Sequence, residues 1–255
     1  MKKLIFILFV FGIVISAFTQ EEITMNYISG KVSQETENKM KKGSQFIVDF
    51  YKKIGFPITI SKIDLRVFSS FDKYKSHQEL NSNARSNNGY FSISKQEIVL
   101  FDNDRMLKTF NHEFNHYLLR SNFKSPPKWI NEGLSEYFEF LNVADSCYVL
   151  PQKKKIARIK NWIGTGLDND IEQILIVSNE QWSKQNIEPE YRSSTISYAI
   201  VLFLMSNKDS ELIIGEIINK LMNEEKSVDI ISNLYPGGFV EFKNNFIKFY
   251  KEWNL

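Results

Sequence analysis

The sequence predicts an α+β fold. A small N-terminal mixed sheet with helices is followed by a central helix that carries candidate metal ligands, and then by a mainly helical C-terminal half. Apolar residues recur at helical spacing in 34–54 and through most of the chain after residue 140. Short apolar segments that alternate with polar residues, or that are bounded by turn residues, predict strands at 58–68, 89–93 and 97–101.

The first residues have the pattern of a secretory signal peptide. A basic start precedes an apolar run from Leu4 to Ala17, and Ala17-Phe18-Thr19 fits the small-x-small pattern of a cleavage site before Gln20. The run is short for a membrane span, although an uncleaved N-terminal anchor stays open. We expect residues 1–19 to be removed and the protein to be exported, to the periplasm or the extracellular space.

Charge and apolar content limit the classes of function. Loss of the signal would leave 30 of the 32 basic residues against 30 acidic ones, so the formal net charge would be zero. A balanced chain lacks the basic footprint of a nucleic-acid-binding protein, and we expect no such partner. A second long apolar run does not occur in the sequence, so no stable membrane span is expected after cleavage.

The remaining chain is long enough for one large domain. A hydrophobic content of 43% with 14% aromatic residues supports a sizeable core. We expect residues 20–255 to form a single domain, with an α/β sublobe at about 30–122 and a helical sublobe at about 123–255. The single cysteine, Cys147, excludes an internal disulfide, and its expected role is packing.

The N-terminal half is expected to alternate helices and strands. A helix over 34–54 ends at Gly55, a strand covers 58–68, and a short helix covers 71–80. His77 in that short helix is expected to be packed or solvated, because no histidine or carboxylate stands at ligand spacing from it. A helix over 105–120 follows the two predicted strands of a hairpin.

The C-terminal half is expected to consist of helices. They are predicted at 168–177, 180–182, 191–205, 211–222, 228–234 and 239–253. A basic run, Lys153-Lys154-Lys155 with Arg158 and Lys160, precedes them. A solvated helix face is the favoured interpretation of this run, and an anionic partner is the alternative.

The predicted helix over 105–120 contains H-E-x-x-H, as His112-Glu113-Phe114-Asn115-His116. Residues four apart lie one turn apart on the same helix face, so His112 and His116 can hold one metal ion, and two imidazoles suit zinc. Glu113 stands beside the first ligand, where a carboxylate can act as general base on an activated water. The alternative is a surface helix with two solvated histidines.

A catalytic zinc site uses three protein ligands, and the next segment supplies carboxylates. Glu132 comes 16 residues after His116, and Glu136 follows one turn later. Pro126-Pro127 between the two segments predicts a turn, so a second helix would fold back and face the histidines. Gly133 beside Glu132 would permit a close backbone approach.

These residues resemble the gluzincin metallopeptidases, most closely their small bacterial peptidase MA-like members. The resemblance is carried by His112-Glu113-Phe114-Asn115-His116 and by Trp129-Ile130-Asn131-Glu132-Gly133-Leu134-Ser135-Glu136-Tyr137. It covers about 30 residues and implies a zincin-like fold, one Zn²⁺ per chain, and a peptide or protein substrate. His112, His116 and Glu132 would be the zinc ligands, Glu113 the catalytic base, and Glu136 a hydrogen-bond partner of a ligating histidine.

Further implications of the resemblance concern the substrate. The hairpin strands at 89–93 and 97–101 would either edge the substrate cleft or form an ordinary hairpin. A downstream tyrosine would stabilise the oxyanion, and Tyr191 and Tyr198 are candidates, with Tyr191 preferred; either could also be a core residue. No stretch that would hold a free amino terminus occurs, so an endopeptidase is favoured over an aminopeptidase. The alternatives are a zinc hydrolase of a non-peptide substrate and a non-catalytic binding protein.

Overall fold

The computed structural model of the protein describes residues 23–60, 62–187, 190–206 and 208–254, with 208–211 as backbone only. The predicted signal peptide at 1–19 lies outside the described residues. The predicted α+β class is confirmed: a small mixed sheet lies in the N-terminal half, and the C-terminal half is mainly helical.

The N-terminal half contains a four-stranded mixed sheet and two helices. Its elements are β1 (Thr24–Ser29), α1 (Gln34–Lys53), β2 (Lys62–Phe68), α2 (Phe71–Asn81), β3 (Gly89–Ser92) and β4 (Glu97–Phe101). The strand order is β1-β2-β4-β3. The first two pairings are parallel and the last is antiparallel. Because β3 is last in the order, it forms one edge of the sheet.

Two consecutive helices connect the halves. The first, α3 (Met106–Asn122), buries Phe110, Phe114 and Leu118 completely, which fixes the side that it turns to the core. The second, α4 (Lys128–Glu139), begins directly after Pro127, whose ψ of 141° is extended. The predicted helix-turn-helix is therefore present, and the two helices pack against each other.

A short hairpin and seven helices make up the described C-terminal part. They are β5 (Leu141–Val143), β6 (Cys147–Val149), α5 (Lys153–Trp162), α6 (Leu167–Ile176), α7 (Asn179–Gln185), α8 (Arg192–Met205), α9 (Lys208–Met222), α10 (Ser227–Leu234) and α11 (Gly238–Glu252). Residues 193–204 of α8 are all buried, so this helix forms the centre of the C-terminal half. Among the described residues, no helix combines the length and the apolar character needed to cross a bilayer.

Two parts of the β-structure were not predicted from the sequence. The strand β1 is only partly buried and alternates polar with apolar residues over four positions only, so its place depends on parallel pairing with the distant β2. Each strand of the β5–β6 hairpin is three residues long, which is too short to produce a periodic pattern.

Close packing of α4 on α8 depends on Gly133. A Cβ atom at this position would lie 2.6 Å from the backbone oxygen of Ser197 and 2.8 Å from Cγ2 of Val201. The sequence prediction that Gly133 permits a close backbone approach is confirmed, and the neighbouring backbone belongs to α8. The absence of a side chain here sets how deeply α4 sits in the protein.

We expect Gly133→Ala to destabilise the protein by about 1–3 kcal/mol, because a backbone oxygen cannot yield to the added methyl group. At an uncrowded helical position the same change would stabilise by up to ~1 kcal/mol, so the sign of the effect is informative. Urea unfolding of both proteins measures it. A free energy of unfolding equal to or above that of the wild type would contradict the close contact.

Candidate metal centre

The α3 and α4 helices bring His112, His116 and Glu132 together. The Nε2 atoms of the two histidines lie 3.1 Å apart, and Oε2 of Glu132 lies 3.7 Å from that of His116 and 4.0 Å from that of His112. Three ligands at zinc bond lengths in tetrahedral geometry would be separated by about 3.3–3.5 Å. The three donor atoms lie close enough together to hold one metal ion, with Glu132 about 0.5 Å further from His112 than that geometry requires.

The other ring nitrogen of His116 is fixed by α4. Its Nδ1 lies 3.0 Å from Oδ1 of Asn131 and 3.0 Å from Oγ of Ser135. Because an amide oxygen can only accept, the assigned orientation of Asn131 places the proton of His116 on Nδ1. The lone pair of Nε2 is then directed at the metal position, as a neutral imidazole ligand requires.

Behind His116 the hydrogen bonds continue into the core. The Nδ2 atom of Asn115 donates to Oγ of Ser135 at 2.8 Å, and the hydroxyl of Tyr51 in α1 donates to Oδ1 of Asn115 at 2.7 Å. The side chains of Tyr51, Asn115 and Ser135 are all fully buried. Three helices thus fix one imidazole ring, which limits its movement before any metal binds.

The Nδ1 atom of His112 faces Glu139, where the sequence predicted Glu136. This nitrogen lies 3.5 Å from Oε2 of Glu139, the last residue of α4. Glu136, expected in this role, forms an ion pair with Lys155 at 2.9 Å and lies 3.3 Å from Nε2 of Gln152. Glu139 in turn pairs with Arg105 at 2.8 Å.

His112, Glu136 and Glu139 form a second set of possible metal ligands. One donor atom from each of His112, Glu136 and Glu139 lies within 4.8 Å of the others. The carboxylates of Glu136 and Glu139 already form ion pairs with Lys155 and Arg105, so a metal ion is not needed to balance their charge. We therefore interpret Glu136 and Glu139 as a charged layer behind His112.

Burial and neighbouring charges shift the pKa values of the two histidines in opposite directions. Burial lowers the pKa of His112, but the carboxylates of Glu139, Glu113 and Glu136 outweigh burial and raise it to about 10. For His116, burial dominates and lowers the pKa.

The two carboxylates that face the histidines remain charged despite their burial. Burial raises the pKa of Glu132, but His116, Lys128 and His112 outweigh it and hold the pKa below its usual value. Lys128 contributes through its Nζ, 3.3 Å from Oε1 of Glu132. The pKa of Glu139 is lowered to about 2 by His112 and Arg105, which outweigh its burial. Glu132 is thus in the form that a metal ligand needs.

Glu113 is held beside the histidines by the edge of the sheet. Its Oε2 accepts a hydrogen bond from the backbone N–H of Phe91 at 2.9 Å, and the residue is 9% exposed. The Oε2 atom is thereby fixed to β3, and Oε1 is left to face a reacting molecule. Both His112 and Glu113 line one cavity of about 1540 Å³, which lies between the two halves of the protein.

The two candidate tyrosines lie in different surroundings. Tyr198 is fully buried, and its hydroxyl accepts a hydrogen bond from the backbone N–H of Gln152 at 2.7 Å, as is typical of a core tyrosine. Tyr191 lines the same cavity as Glu113, is 37% exposed, and precedes α8 with a left-handed backbone (φ 46°). Its role as oxyanion stabiliser stays a prediction.

Several residues of the site were not identified from the sequence. Asn131 and Ser135 contact His116, Asn115 supports Ser135, and Glu139 lies beside Nδ1 of His112. A sequence signal did exist for Glu139, because residues i, i+4 and i+7 of a helix share a face, and Glu139 is seven residues after Glu132. The amides and the serine carried no such signal.

We expect the protein to bind one zinc ion per chain, and Glu132→Ala to abolish stoichiometric binding, because only two protein ligands would remain. Elemental analysis after zinc supplementation and dialysis measures both. A wild-type protein without stoichiometric zinc, or a Glu132→Ala variant that still binds one ion tightly, would contradict the ligand set.

We expect Glu139→Gln to weaken zinc affinity by ~10–100-fold, because an amide holds the Nδ1 proton of His112 less strongly than a carboxylate does. The matched control is Glu136→Gln, three residues earlier in α4, which should have the smaller effect because Glu136 pairs with Lys155. Competition with a chromogenic chelator gives both affinities. A larger loss of zinc affinity in Glu136→Gln than in Glu139→Gln would show that Glu136 is the carboxylate that supports His112.

The chain was also compared with known proteins. Neither the models of known protein families nor the curated proteins gave a match.

Proposed function

We propose that this protein is an exported zinc-dependent metallopeptidase of the gluzincin type, and that it hydrolyses internal peptide bonds. The observation that carries the proposal is the triangle of His112, His116 and Glu132 with the carboxylate of Glu113 beside it, on one wall of a large cavity. The peptidase MA-like resemblance adds support. Export rests on residues 1–19, which lie outside the described residues.

Each residue of the site has a defined part in this hydrolysis. A zinc ion held by His112, His116 and Glu132 would supply Lewis acidity, lowering the pKa of a water ligand and polarising a carbonyl oxygen. Glu113, fixed through Oε2, would accept a proton at Oε1 during attack and deliver it to the leaving amine. Tyr191 would donate a hydrogen bond to the developing oxyanion.

The edge strand favours a peptide as substrate. In the antiparallel ladder the backbone N–H of Phe101 donates to the carbonyl of Asn88 at 2.8 Å. Because hydrogen-bonding residues alternate along such a ladder, the peptide groups of Gly89 and Phe91 point away from β4. The N–H groups of these two residues already donate to Ser86 and Glu113, so their carbonyl oxygens are the groups left to accept hydrogen bonds from an extended peptide.

We expect Glu113→Gln to reduce kcat by at least ~100-fold while the protein still binds zinc, because an amide of the same size cannot accept the proton. Digestion of a broad peptide library, with cleavage sites read by mass spectrometry, measures activity. Zinc content measured on the same sample is the control.

Two outcomes would contradict the proposal. Turnover near the wild-type rate in Glu113→Gln would show that another group is the base. A zinc-loaded wild-type protein that cuts no peptide in the library would favour a different substrate class.

A further inference from the structure

The cavity that contains the candidate metal centre has an excess of basic side chains. Seven Lys or Arg residues and four glutamates line it. The basic residues come from both halves: Arg85, Arg105, Lys108, Lys153, Lys154, Lys155 and Arg158. A cleft lined by one sign of charge attracts ligands of the opposite sign.

The four glutamates leave a formal excess of three positive charges in the lining, and only two of the four form ion pairs with basic residues of the cavity described above. Glu136 and Glu139 pair with Lys155 and Arg105, as described above. Glu132 faces the metal position, and Glu113 accepts from the backbone of Phe91.

Four of the basic side chains have no acidic partner among the residues that the structure describes. Within the described part of the chain, no carboxylate lies within ion-pair distance of Arg85, Lys108, Lys153 or Lys154. Lys108 instead lies over the ring of Phe140 at 4.4 Å. An anionic ligand in the cavity would meet these charges unopposed.

The first turn of α5 concentrates the charge. Lys153, Lys154 and Lys155 open this ten-residue helix, and its first turn contains no acidic residue. Acidic residues are favoured at that position and basic ones are disfavoured, because the N-terminal end of a helix dipole is positive. Three lysines there raise the local positive potential without a compensating gain in helix stability.

This turn is held close to the metal ligands. Nε2 of Gln152 donates to the backbone oxygen of Glu136 at 2.5 Å, and Lys155 pairs with the carboxylate of the same residue. Glu136 is one helical turn from Glu132, so the lysine-bearing turn lies beside the reacting position. Lys153 and Lys154 line the same cavity as Glu113, so a peptide bound in it can bring side chains near its scissile bond to these two lysines.

We propose that the cleft selects peptides with aspartate or glutamate side chains near the scissile bond, and that Lys153 and Lys154 are the specificity-determining residues. This rests on the proposed function. Both side chains are exposed to solvent within the cavity, so an arriving carboxylate can reach them. Under this proposal the basic run binds an anionic partner, the substrate. The sequence alone favoured a solvated helix face for this run.

The test uses three peptides of one length. The first has acidic side chains around the scissile bond and an amidated C-terminus, and the second replaces each acid by its amide isostere. The third has the neutral side chains and a free C-terminal carboxylate, which separates the two sources of anionic charge. We expect the wild type to cleave the first with ~10-fold higher kcat/KM than the second, with a preference that falls as salt is added.

Two double variants separate a local effect from net charge. Lys153→Gln with Lys154→Gln should reduce the acidic-to-neutral ratio of kcat/KM by about 5–10-fold. The control is Lys52→Gln with Lys73→Gln, which removes the same charge from exposed helical positions outside the cavity. It should leave the ratio unchanged. Equal ratios in both double variants would overturn the proposal.

Binding gives a readout that does not depend on turnover. Fluorescence anisotropy with the Glu113→Gln variant should show tighter binding of the acidic peptide than of its amide isostere. If the wild type cuts none of the peptides, the proposed function fails, and this measurement still decides the charge preference. Equal affinities, a preference for the free C-terminal carboxylate, or equal binding of an oligonucleotide of the same charge would overturn the proposal.

Discussion

The fixed orientation of His116 is the constraint on which the candidate site depends. Its ring is held on Nδ1 by Asn131 and Ser135 of α4, and Tyr51 of α1 reaches the same network through Asn115. Buried polar groups are costly unless they are paired, so the network is stable only when all three helices are in place. The same contacts that orient the ring therefore also align α3 with α4.

The C-terminal half supports this arrangement from behind. Gly133 brings α4 against the fully buried centre of α8, and the indole nitrogen of Trp129 donates to Ser227 at 2.9 Å, at the start of α10. The position of Glu132 is thus set by packing on the side of α4 that faces away from the cavity. Of these two helices, α8 supplies Ser194 to the cavity wall, whereas α10 contributes to the geometry of a cavity that it does not line.

The sequence predicted those parts of the structure that follow from local pattern. His112 and His116 share a helix face because they are four residues apart, and Pro126-Pro127 favours a turn whatever surrounds it. Both features are local, so they could be predicted without knowing the fold. Glu139 was missed because its contact with His112 depends on the crossing of α3 and α4. His77 was judged by neighbours in sequence, yet the structure places it 3.6 Å from Glu97, twenty residues away and itself paired with Arg66.

The contact between Glu113 and β3 has a consequence for how sequence can vary here. The donor is the backbone N–H of Phe91, which every amino acid except proline supplies. A different side chain at position 91 would change the packing of this ring on Tyr117, but it would not remove the donor. The orientation of the carboxylate is therefore encoded in the pairing of two strands, and side-chain identity at position 91 can drift without altering it.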